Sequence, residues 1–196
     1  MNPTNTTADQ ILDCAQTLMI EQGYNGFSYA DIAQQVAISK PSIHHHFPTK
    51  ARLALRVVQR YRNNIALAME AGAHVTDPVL QLYGYVGYWS ACILDGSTSF
   101  CVCAMLASEQ RTLPPEVAAE VAGHFTFLAT WLTDVLARGK SSGQFVLHHD
   151  AALEAQCFMA AIHGAMLTAR ALGDGAMFGA IAKAAVASYQ AKPEQI

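Results

Sequence analysis

The chain has 196 residues, of which 52% are hydrophobic and 14% charged, and its net charge is −3 at pH 7. This composition excludes an intrinsically disordered chain and predicts a globular protein with a sizeable core, which needs no cofactor to fold. No apolar run reaches the roughly 18 residues of a membrane span, and the polar start from Met1 to Asp9 is unlike a signal peptide. We therefore expect a cytoplasmic protein without membrane contact.

Positive charge is concentrated near the N-terminus. Six cations and no acid lie between Lys40 and Arg62, whereas six cations and eleven acids follow Arg62. A local basic face of this kind is typical of contact with a polyanion, even where the whole chain is mildly acidic.

Hydrophobic residues recur at helical spacing along the whole chain, and no segment alternates long enough to compete as a strand. We therefore predict an all-α protein. The first helix is expected from Thr7 to Gln22, with Gly23 at its C-terminal cap. Ser28 and Asp31 then form a capping-box-like start for a short second helix that ends near Val36.

A third short helix is expected to begin at Ser39 and to end before Pro48, because proline is tolerated in a first turn but breaks a helix interior. Thr49 then caps a long fourth helix that runs to about Ala71. Further helices are predicted at about 78–94, 98–110, 115–139, 150–172 and 175–190. The predicted organisation is an N-terminal domain of short helices over 1–50 and a larger helical domain over 51–196.

Two short helices joined by a tight turn, the second with small polar and basic residues near its start, suit a reader of the DNA major groove. Apolar Ile32, Val36, Ile43 and Phe47 are expected to hold the two helices together. The predicted DNA contacts are Ser28, Ser39, Lys40, Pro41, Ser42, His44, His45 and Lys50. Exposed lysines are common, so a merely solvated face is the alternative for Lys40 and Lys50 taken alone.

The segments Phe27–Ala33 (FSYADIA) and Val36–Lys50 (VAISKPSIHHHFPTK) resemble the tetracycline-repressor (TetR) family, and the resemblance covers roughly residues 7–56. It implies an all-α, homodimeric, cytoplasmic regulator that represses transcription until a small ligand lowers its affinity for operator DNA. The resemblance implies a helix-turn-helix DNA-binding domain over 1–50 and a ligand-binding and dimerisation domain over 51–196. It also implies phosphate contacts for Ser28 and Lys50, groove contacts for Lys40, Pro41 and Ser42, and a structural role for His46. His44 and His45 depart from the family's usual tyrosines, and Pro41 from its usual small residue, so no operator sequence carries over.

A sensor of apolar or amphipathic compounds needs a cavity lined by aromatic and flexible side chains with a few polar anchors. The predicted ligand contacts are Tyr88, Trp89, Cys103, Met105, His124, Phe127, Trp131, Phe158 and His163. The alternative for each is ordinary core packing, because aromatic residues at helical spacing normally pack.

Cys101 and Cys103 suggest a second mode of sensing, in which a thiol registers electrophiles or oxidants. The segment around them resembles, less specifically, a subgroup of the family that responds to reactive electrophiles. Such a thiol must be exposed and have a lowered pKa, and a helix N-terminus supplies one means of lowering it. Because the two cysteines are two residues apart on a predicted helix, their side chains are expected to face apart and not to form a disulfide with each other. Cys92 is then the alternative disulfide partner. The competing interpretation is that all five cysteines are small buried hydrophobes.

Small residues are abundant in the last two predicted helices, which lets helices approach closely, and the family resemblance implies a four-helix dimer interface there. We expect no enzymatic activity, because no nucleophile elbow, phosphate loop or metal-spaced cluster accompanies the available cysteines and histidines. We therefore expect no cofactor and no metal site in the chain. No metal site is expected at His44–His46, since helical metal pairs lie three or four residues apart.

Overall fold

The computed structural model describes residues 6–95 and 100–190, with the side chain of Asp95 excepted. Within these ranges the chain is all-α, as predicted, and its pairing of β type is limited to an isolated bridge between Phe145 and Gln190. The helices are α1 (Thr7–Gln22), α2 (Tyr29–Val36), α3 (Lys40–His46), α4 (Lys50–Ala71), α5 (Pro78–Asp95), α6 (Val102–Ala107), α7 (Pro115–Ser141), α8 (Ala151–Leu172) and α9 (Gly175–Ala187).

Helix ends follow the capping chemistry that the sequence carries. Thr6 and Asp9 form a capping box at α1, and Ser28 and Asp31 form the predicted one at α2. At the other end of α1, Gly23 adopts φ +75°, a conformation that favours glycine.

The sixth helix is shorter than predicted. It begins at Val102, and Cys101 precedes it in an extended conformation with φ −64° and ψ 114°. Residues 98 and 99 of the predicted helix lie outside the described residues, and the chain after Ala107 forms turns instead of continuing the helix to 110.

The chain divides into two compact units. The first comprises Met1–Glu70 and Cys101–His124, and the second comprises Ala71–Phe100 and Phe125–Ile196. In the first unit α1 packs against α2 and α6, and α2 packs against α3. In the second unit α9 packs against both α5 and α8.

Each unit has its own apolar core. In the first, Ile11, Leu18, Ile32, Ile43 and Leu53 are fully buried. In the second, Leu82, Leu132, Phe158, Ile162 and Phe178 are buried to within 1%. Burial of such side chains contributes roughly 1.5–3 kcal/mol each, so each unit has its own source of hydrophobic stabilisation. Among the helices of residues 6–95 and 100–190, none is both long enough and apolar enough to cross a membrane.

Candidate nucleic-acid interface and effector-binding residues

The turn between α2 and α3 consists of Ala37, Ile38 and Ser39. Ala37 adopts a left-handed conformation (φ 57°, ψ 42°), and its N–H donates to the carbonyl of Ala33. This residue reverses the chain, so that buried Ile32 of α2 and Ile43 of α3 lie in one core. The result is the predicted helix-turn-helix, with half-buried Val36 contributing less than the sequence suggested.

Tyr29 and His44 brace the end of α3. The Tyr29 hydroxyl donates to the carbonyl of Phe47 at 2.8 Å, and burial raises the pKa of Tyr29 to about 12, so the hydroxyl stays protonated. The His44 ring lies 4.7 Å from the Tyr29 ring, and its Nδ1 lies 3.3 Å from the carbonyl oxygen of Pro48. His44 therefore has a bracing role within the domain, although its side chain remains exposed.

The structural role that the resemblance implies for His46, as the histidine that is buried or supports the turn, is not seen in burial or in a hydrogen bond of its ring to a described residue. All of His44, His45 and His46 are exposed, and the contact that supports the turn is made by His44. The reason is that α3 places Ile43 and Phe47 in the core, four residues apart, and the residues between them face outward.

Ser28 and Ser39 are helix caps. The Ser28 hydroxyl donates to Asp31 at 2.8 Å and accepts from the N–H of Ala30, while Ser39 accepts from the N–H of Ser42. The hydroxyl and N–H of Ser28 lower the pKa of Asp31 by stabilising its carboxylate. Both serines are exposed at helix N-termini, where backbone N–H groups favour phosphate, so their contact with DNA stays a prediction.

Lys50 is half-buried instead of fully solvated. Its ammonium group donates to the carbonyl of Phe27 and lies 4.1 Å from the ring centroid of Phe27 and 4.9 Å from that of Tyr24. Burial lowers the pKa of Lys50, opposed by the nearby carboxylates of Glu109 and Asp31. The side chain thus fastens the start of α4 to the segment before α2, and its predicted phosphate contact would use the remaining donors.

The six cations of the basic segment divide into two groups. Arg60 is paired with Asp13 at 2.7 Å, Arg62 is paired with Glu120, and Lys50 is engaged as above. Lys40, Arg52 and Arg56 are exposed and form no ion pair among the residues that the structure describes. Arg52 and Arg56 were absent from the predicted DNA contacts, although their spacing of four on a helix was visible in the sequence.

The outward surface of α3 contains the exposed side chains of Lys40, Pro41 and His45, together with half-buried Ser42. Lys40 supplies a mobile point charge for phosphate or a guanine edge, and Ser42 and His45 supply neutral hydrogen-bonding groups. This combination suits a surface that reads base edges while exposed arginines neutralise phosphate.

Glu109, which the sequence analysis did not single out, lies at the junction of α1 and α2. Its carboxylate accepts from the N–H of Tyr24 at 2.7 Å, from the N–H of Asn25 at 3.2 Å and from the Asn25 amide at 2.7 Å. It also occupies the space that a Cβ on Gly23 would need. The segment after α6 is therefore fastened to the helix-turn-helix.

The predicted effector contacts are distributed over both compact units. Cys103, Met105 and His124 belong to the first, and Tyr88, Trp89, Phe127, Trp131, Phe158 and His163 to the second. Trp89 and Phe158 are buried, and a Tyr85 ring lies 5.7 Å from Trp131 and 6.4 Å from Phe158. Tyr88 and Phe127 are 47% and 37% exposed, so they lie at the surface of this chain.

An open groove of about 450 Å³ lies between α7 and α8 in the second unit. None of the predicted effector contacts lines it, although the Phe125 ring at its edge lies 5.2 Å from His163. The lining residues are Phe125, Thr126, Ala129, Thr130, Thr133, Ala152, Gln156 and Met159.

The sulfur atoms of Cys101 and Cys103 lie close together, contrary to the expectation that they face apart. Cys101 precedes the first helical residue, so the rotation of 100° per residue does not apply to it. A hydrogen bond with Cys101, together with burial, raises the pKa of Cys103 well above its usual value. Both side chains are fully buried, so neither thiol is exposed as a reactive sensor requires, and thiol sensing is not favoured.

These features define a helix-turn-helix regulator with a second helical domain, and comparison with known proteins identifies its family. Residues 11–57 match the model of bacterial regulatory proteins of the tetR family, and residues 78–185 match a tetracycline repressor-like C-terminal domain. The chain belongs to the TetR family of bacterial transcriptional regulators, whose members are not enzymes.

A solved TetR-family regulator from Agrobacterium tumefaciens is similar over nearly the whole chain. It is 50% identical, with a TM-score of 0.90, and the alignment covers 94% of this chain and 97% of that one. Two curated relatives match over shorter stretches. The biofilm operon negative regulator IcaR from Staphylococcus aureus is 40% identical over 62 residues, 30% of this chain, and the activator FasR from Mycolicibacterium smegmatis is 28% identical over 74 residues, 38% of this chain.

The matched stretch spans only 33% of the length of IcaR and 34% of that of FasR. The two relatives also regulate in opposite directions. They support DNA-binding regulation for this chain, and the direction of regulation belongs to the proposal below.

Proposed function

We propose that the chain is a one-component transcriptional repressor that binds a palindromic operator as a homodimer and leaves it when a small molecule binds the C-terminal domain. The observation that carries this proposal is the helix-turn-helix itself, whose second helix α3 exposes Lys40 and His45, and which is followed by the exposed arginines Arg52 and Arg56 of α4. A regulator of chromosomal DNA acts in the cytoplasm.

Homodimerisation is supported by the outer surfaces of α8 and α9. Ala152, Ala160 and Gly164 on α8 and Ala180 and Ala184 on α9 are exposed, and apart from the adjacent backbone of α8 nothing that the structure describes lies within 4 Å of the position that a Cβ on Gly164 would take. Two such helices from each protomer can pack closely into a four-helix interface. A dimer places two recognition helices about 34–36 Å apart, or somewhat further, on successive major grooves of a palindrome.

The effector is expected to be apolar or amphipathic, because aromatic side chains and threonine hydroxyls dominate the candidate surfaces of the second unit. An allosteric coupling of about 1–3 kcal/mol lowers operator affinity roughly 5- to 150-fold. An effector that binds the pure protein and leaves operator affinity unchanged would refute this part of the proposal.

The first test is fluorescence anisotropy of the purified protein with DNA from upstream of its own gene, against a random duplex, over a salt series. Specific binding is expected to weaken with a slope of about −0.9 per phosphate contact. If both duplexes bind equally weakly, the next experiment is selection of bound sequences from a library of random DNA. Failure of that selection to enrich any sequence would refute the proposal.

Lys40→Ala sharpens this test. If Lys40 contacts phosphate, the variant weakens binding to all duplexes and reduces the salt slope by about one unit; if it contacts a guanine, specificity falls by about 1–3 kcal/mol at one base pair. Lys140→Ala is the matched control, because Lys140 is also an exposed lysine and lies in the last turn of α7, outside the helix-turn-helix. Equal effects of the two substitutions would contradict a specific role for Lys40.

A further inference from the structure

Cys101, Cys103 and His124 form a buried cluster of soft donor atoms in the first compact unit. Their sulfur and nitrogen atoms all lie within 4.8 Å of one another, and the three side chains are 0%, 0% and 1% exposed. We propose that this cluster binds a thiophilic d10 metal ion, Cu⁺ or Zn²⁺. The proposal goes beyond the proposed function and does not depend on it.

The distances are close to those that a bound ion needs. With bonds of about 2.3 Å to sulfur and about 2.0–2.1 Å to nitrogen, donor atoms around a tetrahedral ion lie roughly 3.5–3.8 Å apart. The Cys101 sulfur already lies 3.5 Å from Nε2 of His124. The remaining pairs need to approach by about 1 Å at most, which small rotations of the cysteine side chains supply.

Backbone geometry explains why the three donors meet. Cys101 lies at the N-cap of α6, where its side chain makes no capping hydrogen bond, and Cys103 lies in the first turn. His124 comes from α7, and its ring packs 5.4 Å from the ring of Tyr61 on α4. This contact limits the rotation of the imidazole, whose Nε2 faces the Cys101 sulfur.

Charge balance selects the class of ion. Binding of Zn²⁺ to two thiols and a neutral imidazole releases two protons and leaves a neutral centre, and Cu⁺ with one thiolate and one thiol releases one proton and is also neutral. Burial of a neutral centre avoids the cost of an isolated charge. Zn²⁺ would take water as a fourth ligand, whereas Cu⁺ accepts three donors, and hard cations such as Mg²⁺ prefer oxygen.

The position of the cluster suggests a consequence for DNA binding. The α6 helix packs on α1, and Glu109, which follows it, holds the backbone of Tyr24 and Asn25 just before α2. An ion that joins α6 to α7 would restrain the segment to which the helix-turn-helix is fastened. DNA affinity is therefore expected to differ between the metal-free and metal-bound protein.

The test is metal binding by the reduced full-length protein without DNA, under anaerobic conditions. Cu⁺ is titrated in competition with bathocuproine disulfonate, and Zn²⁺ in competition with a chromophoric chelator. One ion per chain is expected in at least one arm, and the stronger arm identifies the metal. Failure of the protein to compete in both arms would overturn the proposal.

Variants assign the ion to the cluster. Cys101→Ser, Cys103→Ser and His124→Gln are each expected to weaken binding by more than the roughly 10- to 100-fold that loss of an outer contact costs. Two variants control for adventitious binding. One is Cys92→Ser, which removes a buried cysteine of the second unit, and the other is a His45→Asn, His46→Asn double variant, which removes two exposed histidines. Binding that survives in a Cys101→Ser, Cys103→Ser double variant would overturn the assignment.

X-ray absorption spectroscopy of the metal-bound wild-type protein needs no variant, so it decides the question even if a substitution prevents folding. Sulfur scattering at about 2.3 Å is expected beside nitrogen at about 2.0–2.1 Å. A shell of nitrogen and oxygen alone would contradict the proposal.

Discussion

Ala37 adopts a left-handed conformation without being glycine. Among non-glycine residues that the structure describes, it alone has a positive φ, and it does so at the turn that orients the recognition helix α3. The left-handed region costs an L-residue about 1–2 kcal/mol, and the turn retains it because the packing of Ile32 and Ile43 fixes the chain reversal.

Ala37→Gly is therefore expected to stabilise the protein by about 0.5–1 kcal/mol. Glycine relieves the strain but adds freedom to the unfolded chain, which offsets about 0.4–1 kcal/mol of the gain. Urea unfolding followed by circular dichroism measures the difference. Ala30→Gly in the first turn of α2 is the control and should destabilise; a loss of stability in both variants would argue against the left-handed turn.

Glu109 links two elements that are far apart in sequence, and its removal has a predictable cost. Glu109→Ala leaves the N–H groups of Tyr24 and Asn25 without their carboxylate acceptor, which is expected to cost about 1.5–3 kcal/mol. Thermal and urea unfolding provide the measurement. The control is Glu70→Ala at the exposed end of α4, whose free energy of unfolding should stay within about 0.5 kcal/mol of wild type. Equal losses of stability in the two variants would contradict a linking role for Glu109.

The start of α8 and the end of α9 are joined through Glu154. This side chain is 6% exposed and accepts from the N–H groups of His148 and His149 at 2.9 Å and from the Tyr189 hydroxyl at 3.2 Å. Burial by itself raises the pKa of Glu154, but the N–H donors of His149 and His148 and the hydroxyl outweigh it and hold the pKa below its ordinary value of 4.5.

A lowered folded pKa contributes stability above the unfolded value, and this contribution is lost as pH falls through the folded one. Glu154→Gln is therefore expected to lose about 1–2 kcal/mol at pH 7, with the gap to wild type narrowing below about pH 4.5. Urea unfolding at several pH values measures both curves. A gap that stays constant down to pH 3 would show that the carboxylate charge is not involved.

At the scale of the whole molecule, the proposed operator recognition requires two copies of the chain. Gly164→Arg on the outer surface of α8 is expected to yield monomers and to abolish operator binding, because its side chain has space within the protomer and none in a close interface. Sedimentation velocity and anisotropy provide the readouts. Gly87→Arg on α5, also with no neighbour within 4 Å, should stay dimeric; a dimeric Gly164→Arg would exclude α8 from the interface.

The helices and the helix-turn-helix were predictable because the sequence features that specify them are local. The capping box of Ser28 and Asp31, the proline at α3 and the spacing of Ile32, Ile43 and Phe47 each act over a few residues. The basic segment from Lys40 to Arg62 was also visible in the sequence, but not which of its cations are paired: Asp13 and Glu120 form ion pairs with Arg60 and Arg62.

Tertiary structure decided the rest. Because α6 begins only at Val102, the sulfur atoms of Cys101 and Cys103 lie close together. His124 follows Cys101 by 23 residues, and the packing of α7 places its ring beside them. Glu109 reaches Tyr24 across 85 residues. The amino-acid sequence by itself determined the helices, their caps and the helix-turn-helix, because the interactions involved lie within a few helical turns. The buried donor cluster depends on contacts between helices, which only the tertiary structure determines.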